Sequence, residues 1–449
     1  MTPKKKTNIK KTDSLAVVIL AAGKGTRMKS DLPKVMHSVA GRPMINWIIE
    51  AAEGLKPEKI IVVTAPDMDD VQAAAKPYDC VIQKTQKGTG DAVKPALPLL
   101  KGFRGKILIL LGDEPFLNKT ALKKMVSTGD LSVMAVRPDS PKGLGRMVVD
   151  DDGMLVSIVE EKDCTVAQKK IDLCNAGNFC MPAKYLGPWL GKLRSNNKQK
   201  EYYLTDLPKI AKKDGFDTHV VEVKTECGWG INTRSELAAH EKIAQETLRE
   251  KVMIGGATLI DPDTVYLSFD TKIGRDVLIE PNVFIGPGVK IGHKAVIHAF
   301  SHIEGADIES QAEVGPYARI RPKSIIKQGA CVGNFIEVNR SIVGKGAKSK
   351  HMSYLGDTEV GEKVNIGAGT VIANYDGFQK HKTIIGKRAF IGTNSTVVAP
   401  VNIGSGAMVA AGSTVTKDTP KNALAIGRTR QENYAGWAHE YRKVKEGKR

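Results

Sequence analysis

Short apolar runs separated by amphipathic stretches dominate the first half of the chain. Leu15–Leu20, Ile60–Val63, Ile107–Leu111 and Val133–Val136 have the length and boundaries of buried β-strands. Segments between them, such as Met44–Ala52, space their apolar residues as a helix does. This alternation, which runs to about residue 235, predicts a Rossmann-like α/β sheet flanked by helices. Ligands on such sheets bind beyond the carboxyl ends of the strands, so the loops that follow the strands are where chemistry is expected.

The pattern then changes twice. Over residues 235–251 it predicts one helix, with Leu237, Ala244, Leu248 and Val252 near one face. Beyond it the period becomes six: Ile273, Ile279, Ile285, Ile291, Ile297 and Ile303 form one register, and Val314, Ile320, Ile326, Val332 and Val338 a second. Val360, Ile366 and Ile372 form a third, and Ile385, Ile391, Val397, Ile403, Val409 and Val415 a fourth. Neither helices nor alternating strands produce this rhythm. It predicts a solenoid of parallel β coils, with the aliphatic residue pointing inward and the glycine that often follows it turning the corner. The register breaks between Ile372 and Ile385, where an inserted loop is expected on the outside. The expected domains are therefore a basic tail over 1–13, an α/β domain over 14–234, a linker helix over 235–251 and a repeat domain over 252–449.

Composition narrows the function. With 449 residues, 41% hydrophobic and 26% charged, the chain is globular and has more than one core. The basic start followed by Leu15–Ala22 imitates a secretory signal, but that run suits one buried strand and leads directly into a glycine-rich loop. No segment approaches the roughly 20 apolar residues of a membrane span. Six scattered cysteines show neither a disulfide framework nor a zinc spacing, which fits a cytoplasmic protein. The formal charge of +18 is spread along the chain and aromatics are only 5% of residues. That distribution argues against a specific nucleic-acid partner and for small polyanionic substrates.

The first candidate site follows the first strand, at Leu20-Ala21-Ala22-Gly23-Lys24-Gly25-Thr26-Arg27-Met28 and then Leu32-Pro33-Lys34. Glycines let backbone N–H groups turn toward phosphates, and Arg27 and Lys34 add fixed positive charge there. The pattern is neither a Walker loop nor GxGxxG. It resembles the sugar nucleotidyltransferases, whose hallmark is LAAGxGTRM followed by PK. Further matches come in order: Gln83, Gly88-Thr89-Gly90, Gly112-Asp113, Gly145-Arg146, Glu160, Asn175-Ala176-Gly177, Glu201 to Asp206, and Asn232. Together they are similar to the bifunctional N-acetylglucosamine-1-phosphate uridyltransferase/glucosamine-1-phosphate N-acetyltransferases. The resemblance implies that Ala21, Ala22, Gly23, Lys34, Gln83, Gly88, Thr89 and Asp113 bind the nucleotide UTP. It implies that Gly145, Glu160, Asn175 and Asn232 bind the sugar, that Asp113 and Asn232 hold Mg²⁺, and that Arg27 and Lys34 act in catalysis.

The second candidate site lies at Ser349-Lys350-His351-Met352-Ser353-Tyr354-Leu355-Gly356-Asp357. Acetylating an amine with a thioester needs a base, and histidine has the pKa best suited to that task near neutrality. Nine histidines occur, and only the neighbours of His351 single it out. The resemblance extends here through HMSYLGD, VNIGAGT, NYDG and Ala425-Ile426-Gly427-Arg428. It implies His351 as general base, with Arg321, Asn339, Tyr354, Asn365 and Lys380 at the sugar phosphate. Ala368, Asn374, Tyr375, Thr393, Ala411 and Arg428 would bind acetyl-CoA. The left hand of the β-helix and a homotrimer are likewise implied by the resemblance and not by the period.

Two positions depart from the family pattern. Asn339 stands where lysine is usual, which weakens sugar-phosphate binding unless Arg340 reaches the same anion. Leu111 stands where tyrosine is common and removes a hydroxyl donor. Two alternatives follow: a nucleotidyltransferase whose repeat domain only trimerises, or a basic nucleic-acid-binding scaffold.

Overall fold

The computed structural model describes residues 14–128 and 130–446; the basic tail expected over 1–13 lies outside them. The described residues fall into two compact units that divide between Ala244 and Gln245.

The first unit is built on a mixed sheet. Its strand order is Thr218–Glu222, Leu131–Val136, Cys174–Pro182, Lys106–Leu111, Leu15–Leu20, Lys59–Thr64 and Asp79–Ile82. Cys174–Pro182 runs antiparallel to both neighbours, while the other pairs along this path are parallel. All four strands expected from the apolar runs are present, and Met44–Glu53 is the helix expected at Met44–Ala52. Val17, Ile61, Ile109 and Val133 are fully buried, as strands covered on both faces require. Leu15–Leu20 lies between Lys106–Leu111 and Lys59–Thr64, which places the loops starting at Ala21 and Gly112 side by side.

The helix predicted over 235–251 spans Arg234–Ile254. Thr233 and Glu236 form its capping box: Thr233 Oγ1 accepts from Glu236 N at 3.2 Å, and Glu236 Oε2 accepts from Thr233 N at 2.8 Å. Its most buried residues are not all apolar. His240, Gln245 and Arg249 are buried with Ala244, while Leu237, Leu248 and Val252 are only half-buried. Each polar group is satisfied locally: His240 bonds the Trp229 and Glu236 carbonyls, and Gln245 bonds both polar groups of the Leu267 backbone.

The second unit is a left-handed parallel β-helix. Strands of two or three residues stack in register from coil to coil, as in Leu278–Ile279 on Val296–Ile297 on Glu313–Val314. The six-residue registers supply part of its core: Ile279, Ile297, Val314, Ile320, Val332, Ile372, Ile391 and Val397 are all inaccessible, and of the first register only Ile273 stays half-exposed, while a second buried position lies two residues before many of them, as at Val277, Val283, Val289 and Ala295.

The expected role of the glycine after the aliphatic residue needs correction. Gly292, Gly386 and Gly392 do not adopt positive φ; a Cβ there would sit 2.5 Å from a backbone nitrogen of the next coil. They are glycine because neighbouring coils approach too closely for a side chain. The corner is turned three residues after the aliphatic one, by Gly288, Gly369 and Gly406 but also by Asn282, Lys294, Phe300 and Asn394, all in the left-handed region.

Candidate active sites

Gly25 sits in the left-handed region at the start of the turn Thr26–Met28, and a Cβ on it would lie 2.6 Å from Lys34 Cβ. The bare glycine therefore lets the turn Lys34–Met36 fold back against the loop. The Lys34 ammonium then forms an ion pair with Asp113 and donates to Asn232 Oδ1 at 3.1 Å, while Arg27 Nη2 donates to the same oxygen at 2.8 Å. Asp113 is held from behind, because its carbonyl accepts from Ile231 N at 2.9 Å and Gly112 N donates to Leu20 O at 2.9 Å. Arg27, Lys34, Asp113 and Asn232 thus form one polar cluster beyond the carboxyl ends of the strands.

Two further groups adjoin the same sheet edge. Gln83 is buried, with its amide donating to Asp91 at 2.9 Å, and the side chain of Gln86 donates to Ala22 O at 2.8 Å. Gly88 has φ +97°, and a Cβ there would meet Tyr202 O at 2.7 Å; Thr89 Oγ1 accepts from Leu204 N at 3.0 Å. Across the sheet, Asn175 N donates to Gly145 O at 2.9 Å, and a Cβ on Gly145 would stand 3.5 Å from Glu160 Oε1. Thr205 donates to Glu160 at 3.1 Å. Burial first, then the nearby acids Asp163, Asp206 and Glu201, raise the Glu160 carboxyl above its usual range against the opposing Thr205 bond. Gly145, Glu160 and Asn175 are brought together. Among the described residues no hydrogen bond or ion pair runs directly from them to the Lys34 cluster.

Sequence reasoning missed Glu114. It is buried beneath Asp113, accepts from the Asn178 amide, and desolvation together with the Asp113 charge pushes its carboxyl well above the ordinary range. The only signal was a second acid directly after Asp113.

In the β-helix the strands Cys331–Asn339 and Lys348–Gly356 are long enough to span a corner, and they pair along nearly their whole length. The register sets Asn334 under His351 and Glu337 under Tyr354. His351 is exposed, with Nδ1 2.9 Å from Asn334 Oδ1. Arg321 donates to Glu337 at 2.9 Å. Gly356 lets two side chains meet, since a Cβ there would lie 2.6 Å from Tyr354 Oη and 2.7 Å from Asn374 Nδ2. Asn374 donates to Asp357 Oδ2, and Lys380 lines a groove of about 310 Å³ with Lys323, Arg340 and Asp357. Tyr375 is exposed and pairs with Lys380 across the inserted loop.

Asn339, the departure, is 4% exposed, and its side-chain oxygen accepts from Arg340 Nη1 at 3.1 Å. Arg340 donates through Nε and Nη2 to the two Asp357 oxygens at 2.7 Å each. That fork holds the Asp357 carboxyl below its usual range and the guanidinium above its own. The guanidinium is thus engaged with its own chain at all three nitrogens.

The remaining positions form a column along one corner. Gly369 N donates to Met352 O, Asn394 N to Ala368 O, Gly412 N to Thr393 O, and Arg428 Nε to Ala411 O at 2.9 Å. His351, Ala368, Thr393, Ala411 and Arg428 therefore follow one another coil by coil. Asn365 lies lower on the same coil as Ala368, in register with Lys348.

Comparisons with known proteins cover both units. Residues 17–163 match the MobA-like NTP transferase domain, residues 270–305 the bacterial transferase hexapeptide (six repeats), and residues 382–417 the hexapeptide repeat of succinyl-transferase. The bifunctional protein GlmU of Zymomonas mobilis is 44% identical over 443 residues, covering 96% of this chain and 98% of that protein. The bifunctional protein GlmU of Sphingopyxis alaskensis is 46% identical over 434 residues, covering 95% and 96%. The one from Paramagnetospirillum magneticum is 44% identical over 438 residues, covering 96% and 97%. Two polar clusters on two folds, matched across nearly the full length of both chains, leave one assignment: the chain belongs to the GlmU family, the bifunctional N-acetylglucosamine-1-phosphate uridyltransferase/glucosamine-1-phosphate N-acetyltransferases.

Proposed function

We propose that the chain catalyses two successive steps toward UDP-N-acetylglucosamine. The β-helix, residues 252–449, acetylates the amine of glucosamine-1-phosphate from acetyl-CoA. The α/β domain, residues 14–234, then transfers uridylyl from UTP to the N-acetylated product and releases pyrophosphate. The observation that carries this reading is that one chain holds both the Arg27–Lys34–Asp113–Asn232 cluster and the column from His351 to Arg428.

In uridylyl transfer the sugar phosphate oxygen attacks the α-phosphorus in line, and the bond to pyrophosphate breaks. Arg27 and Lys34 bind and neutralise the triphosphate, while Gly145, Glu160 and Asn175 hold the sugar and the segment from Gln83 to Thr89 holds the uracil. Asp113 Oδ2 and Asn232 Oδ1 converge on a single cationic centre, the Lys34 ammonium, and are hard oxygen donors, so they would hold a Mg²⁺. When bound, that ion polarises the phosphoryl oxygens.

In acetyl transfer His351 takes a proton from the attacking amine as the carbon–nitrogen bond forms. The carbon–sulfur bond breaks, and the thiolate leaves to become the free thiol. Arg321, Tyr354, Asn365 and Lys380 bind the sugar phosphate. The corner column from His351 to Arg428 makes four coil-to-coil steps, roughly 19 Å at the interstrand spacing, and supports an extended coenzyme arm lying along it with Asn374 and Tyr375 at the acetyl end. A homotrimer is supported by an exposed ladder at the same corner: Phe300 stacks on Tyr317 at 4.9 Å and Tyr317 on Phe335 at 5.0 Å, each about half exposed. A cytoplasmic location is supported by free cysteines and by the lack, among the described residues, of a helix long and apolar enough to cross a membrane.

The test mixes purified protein with glucosamine-1-phosphate, acetyl-CoA, UTP and Mg²⁺ and follows thiol and pyrophosphate separately. Both are expected. Pyrophosphate from added N-acetylglucosamine-1-phosphate without any thiol release would mean that the repeat domain only trimerises.

A further inference from the structure

We infer that Asn334 is a positioning residue for acetyl transfer, fixing the tautomer and ring direction of His351. The inference rests on the reading of His351 as the base. An exposed imidazole on a strand is free to rotate, and a neutral imidazole is a base only through the nitrogen that lacks hydrogen. Asn334 Oδ1 lies 2.9 Å from His351 Nδ1. An amide oxygen accepts and cannot donate, so the single proton of the neutral ring is held on Nδ1. The lone pair is then left on Nε2 and is available for the amine proton. This is the third group that orients a base in many hydrolytic sites, here in an uncharged form.

The backbone makes the pairing rigid. Asn334 and His351 are register partners one coil apart, flanked by Val332–Ser349 and Ile336–Ser353 pairs. Gly333 allows the closest approach, because a Cβ there would fall 2.0 Å from Lys350 O. The amide also distinguishes this site electrostatically: a carboxylate in its place would stabilise the imidazolium, whereas an amide directs the ring without adding charge. The ionisable groups on the packed elements are Cys331 and Glu337 beneath, the latter engaged by Arg321, and Lys348, Lys350 and Tyr354 on the strand of His351 itself. Asn365–Ile366 and Val371–Ala373 above carry none.

The experiment measures acetyl transfer by thiol release across pH in full-length N334L, N334D and H351Q, with uridylyl transfer by the same preparations as the folding control. N334L is expected to lose on the order of 100-fold in kcat with KM for the amino sugar nearly unchanged, the size of a mispositioned general base. N334D, which matches asparagine in size, is expected to keep a high kcat at alkaline pH while its acidic limb moves to higher pH. N334L with wild-type kcat, or N334D with an unmoved acidic limb, would overturn the role of Asn334 while H351Q remained inactive. An active H351Q would instead remove the base itself, and the inference with it.

Discussion

The ammonium of Lys34 and the carboxylate of Asp113 meet as an ion pair across 79 residues of sequence, and the ammonium also touches Asn232. A side chain that sits on both proposed metal ligands must move toward the triphosphate when substrate arrives. Its charge then acts on the reacting phosphates.

Lys34→Ala is therefore expected to cut uridylyl transfer by about 10²- to 10³-fold, as removing one preorganised charge contact does. Acetyl transfer by the same preparation should stay at the wild-type rate. Pyrophosphate and thiol assays on one sample check both halves, and wild-type pyrophosphate release would refute the role of Lys34.

The two kinds of position that follow each inward aliphatic residue should respond oppositely to a methyl group. Gly292→Ala forces a Cβ against Ser310 N and should destabilise the β-helix by about 1–3 kcal/mol, the usual cost of overpacking. Lys294→Gly sits two residues on, at a corner with φ +59°, and relieves a strained backbone. It should be neutral or stabilising by up to about 1 kcal/mol. Denaturant unfolding of the two variants measures the contrast, and a harmless Gly292→Ala would show that the coils are less tightly stacked than described.

Much of this architecture was legible because period reports geometry directly. The six-residue rhythm named about half of the buried apolar residues of the β-helix and passed over the second inward position two residues earlier, as at Val277, Val283, Val289 and Ala295, while the apolar runs named the central strands of the sheet. What the sequence hid were contacts that depend on coil length. Asn334 with His351, Arg340 with Asp357 and Asp357 with Asn374 are each 17 residues apart, one turn of the solenoid in these coils and one residue short of the 18 that three six-residue repeats give, so the registers do not point to them. Buried polar positions on the helix Arg234–Ile254 were equally invisible, since His240, Gln245 and Arg249 are buried only because particular backbone carbonyls await them. In the sequence, glycine after isoleucine reads as a turn because glycine permits positive φ, but here the constraint comes from the neighbouring coil.

Glu160 has its carboxyl raised by burial, so the folded state favours the protonated form. The associated stability is complete below the unfolded value of about 4.5 and is lost as pH rises through the raised folded value. Glu160→Gln should therefore match wild type in thermal stability at acidic pH and exceed it at neutral pH. Its KM for N-acetylglucosamine-1-phosphate should rise about tenfold, the size of one lost hydrogen bond to a charged group. A melting-temperature difference that does not grow between pH 4 and 7 would contradict the assignment.

Asp357 presents the opposite sign. The Arg340 fork, opposed by burial and aided by the Asn374 amide, holds its carboxyl below the ordinary value of 3.8. A depressed carboxyl stabilises the fold above the unfolded pKa, and that contribution disappears as pH falls from about 3.8 through the folded value. Arg340→Met removes the fork while keeping an unbranched apolar stem in its place. It should cost about 1–2 kcal/mol at neutral pH, since the pair is partly exposed and the loss is of charge-assisted bonds. The same substitution should cost progressively less below pH 3.8, because protonation has already weakened the pair in the wild type. Freed from Arg340, Asn339 and Asp357 would no longer fix the corner that faces Lys380, so KM for glucosamine-1-phosphate should rise more than kcat falls. Urea unfolding at pH 7 and at pH 3, with acetyl-transfer kinetics at pH 7, separates the structural loss from the effect on binding. An equal penalty at both pH values would show that Arg340 acts through packing and not through the Asp357 charge.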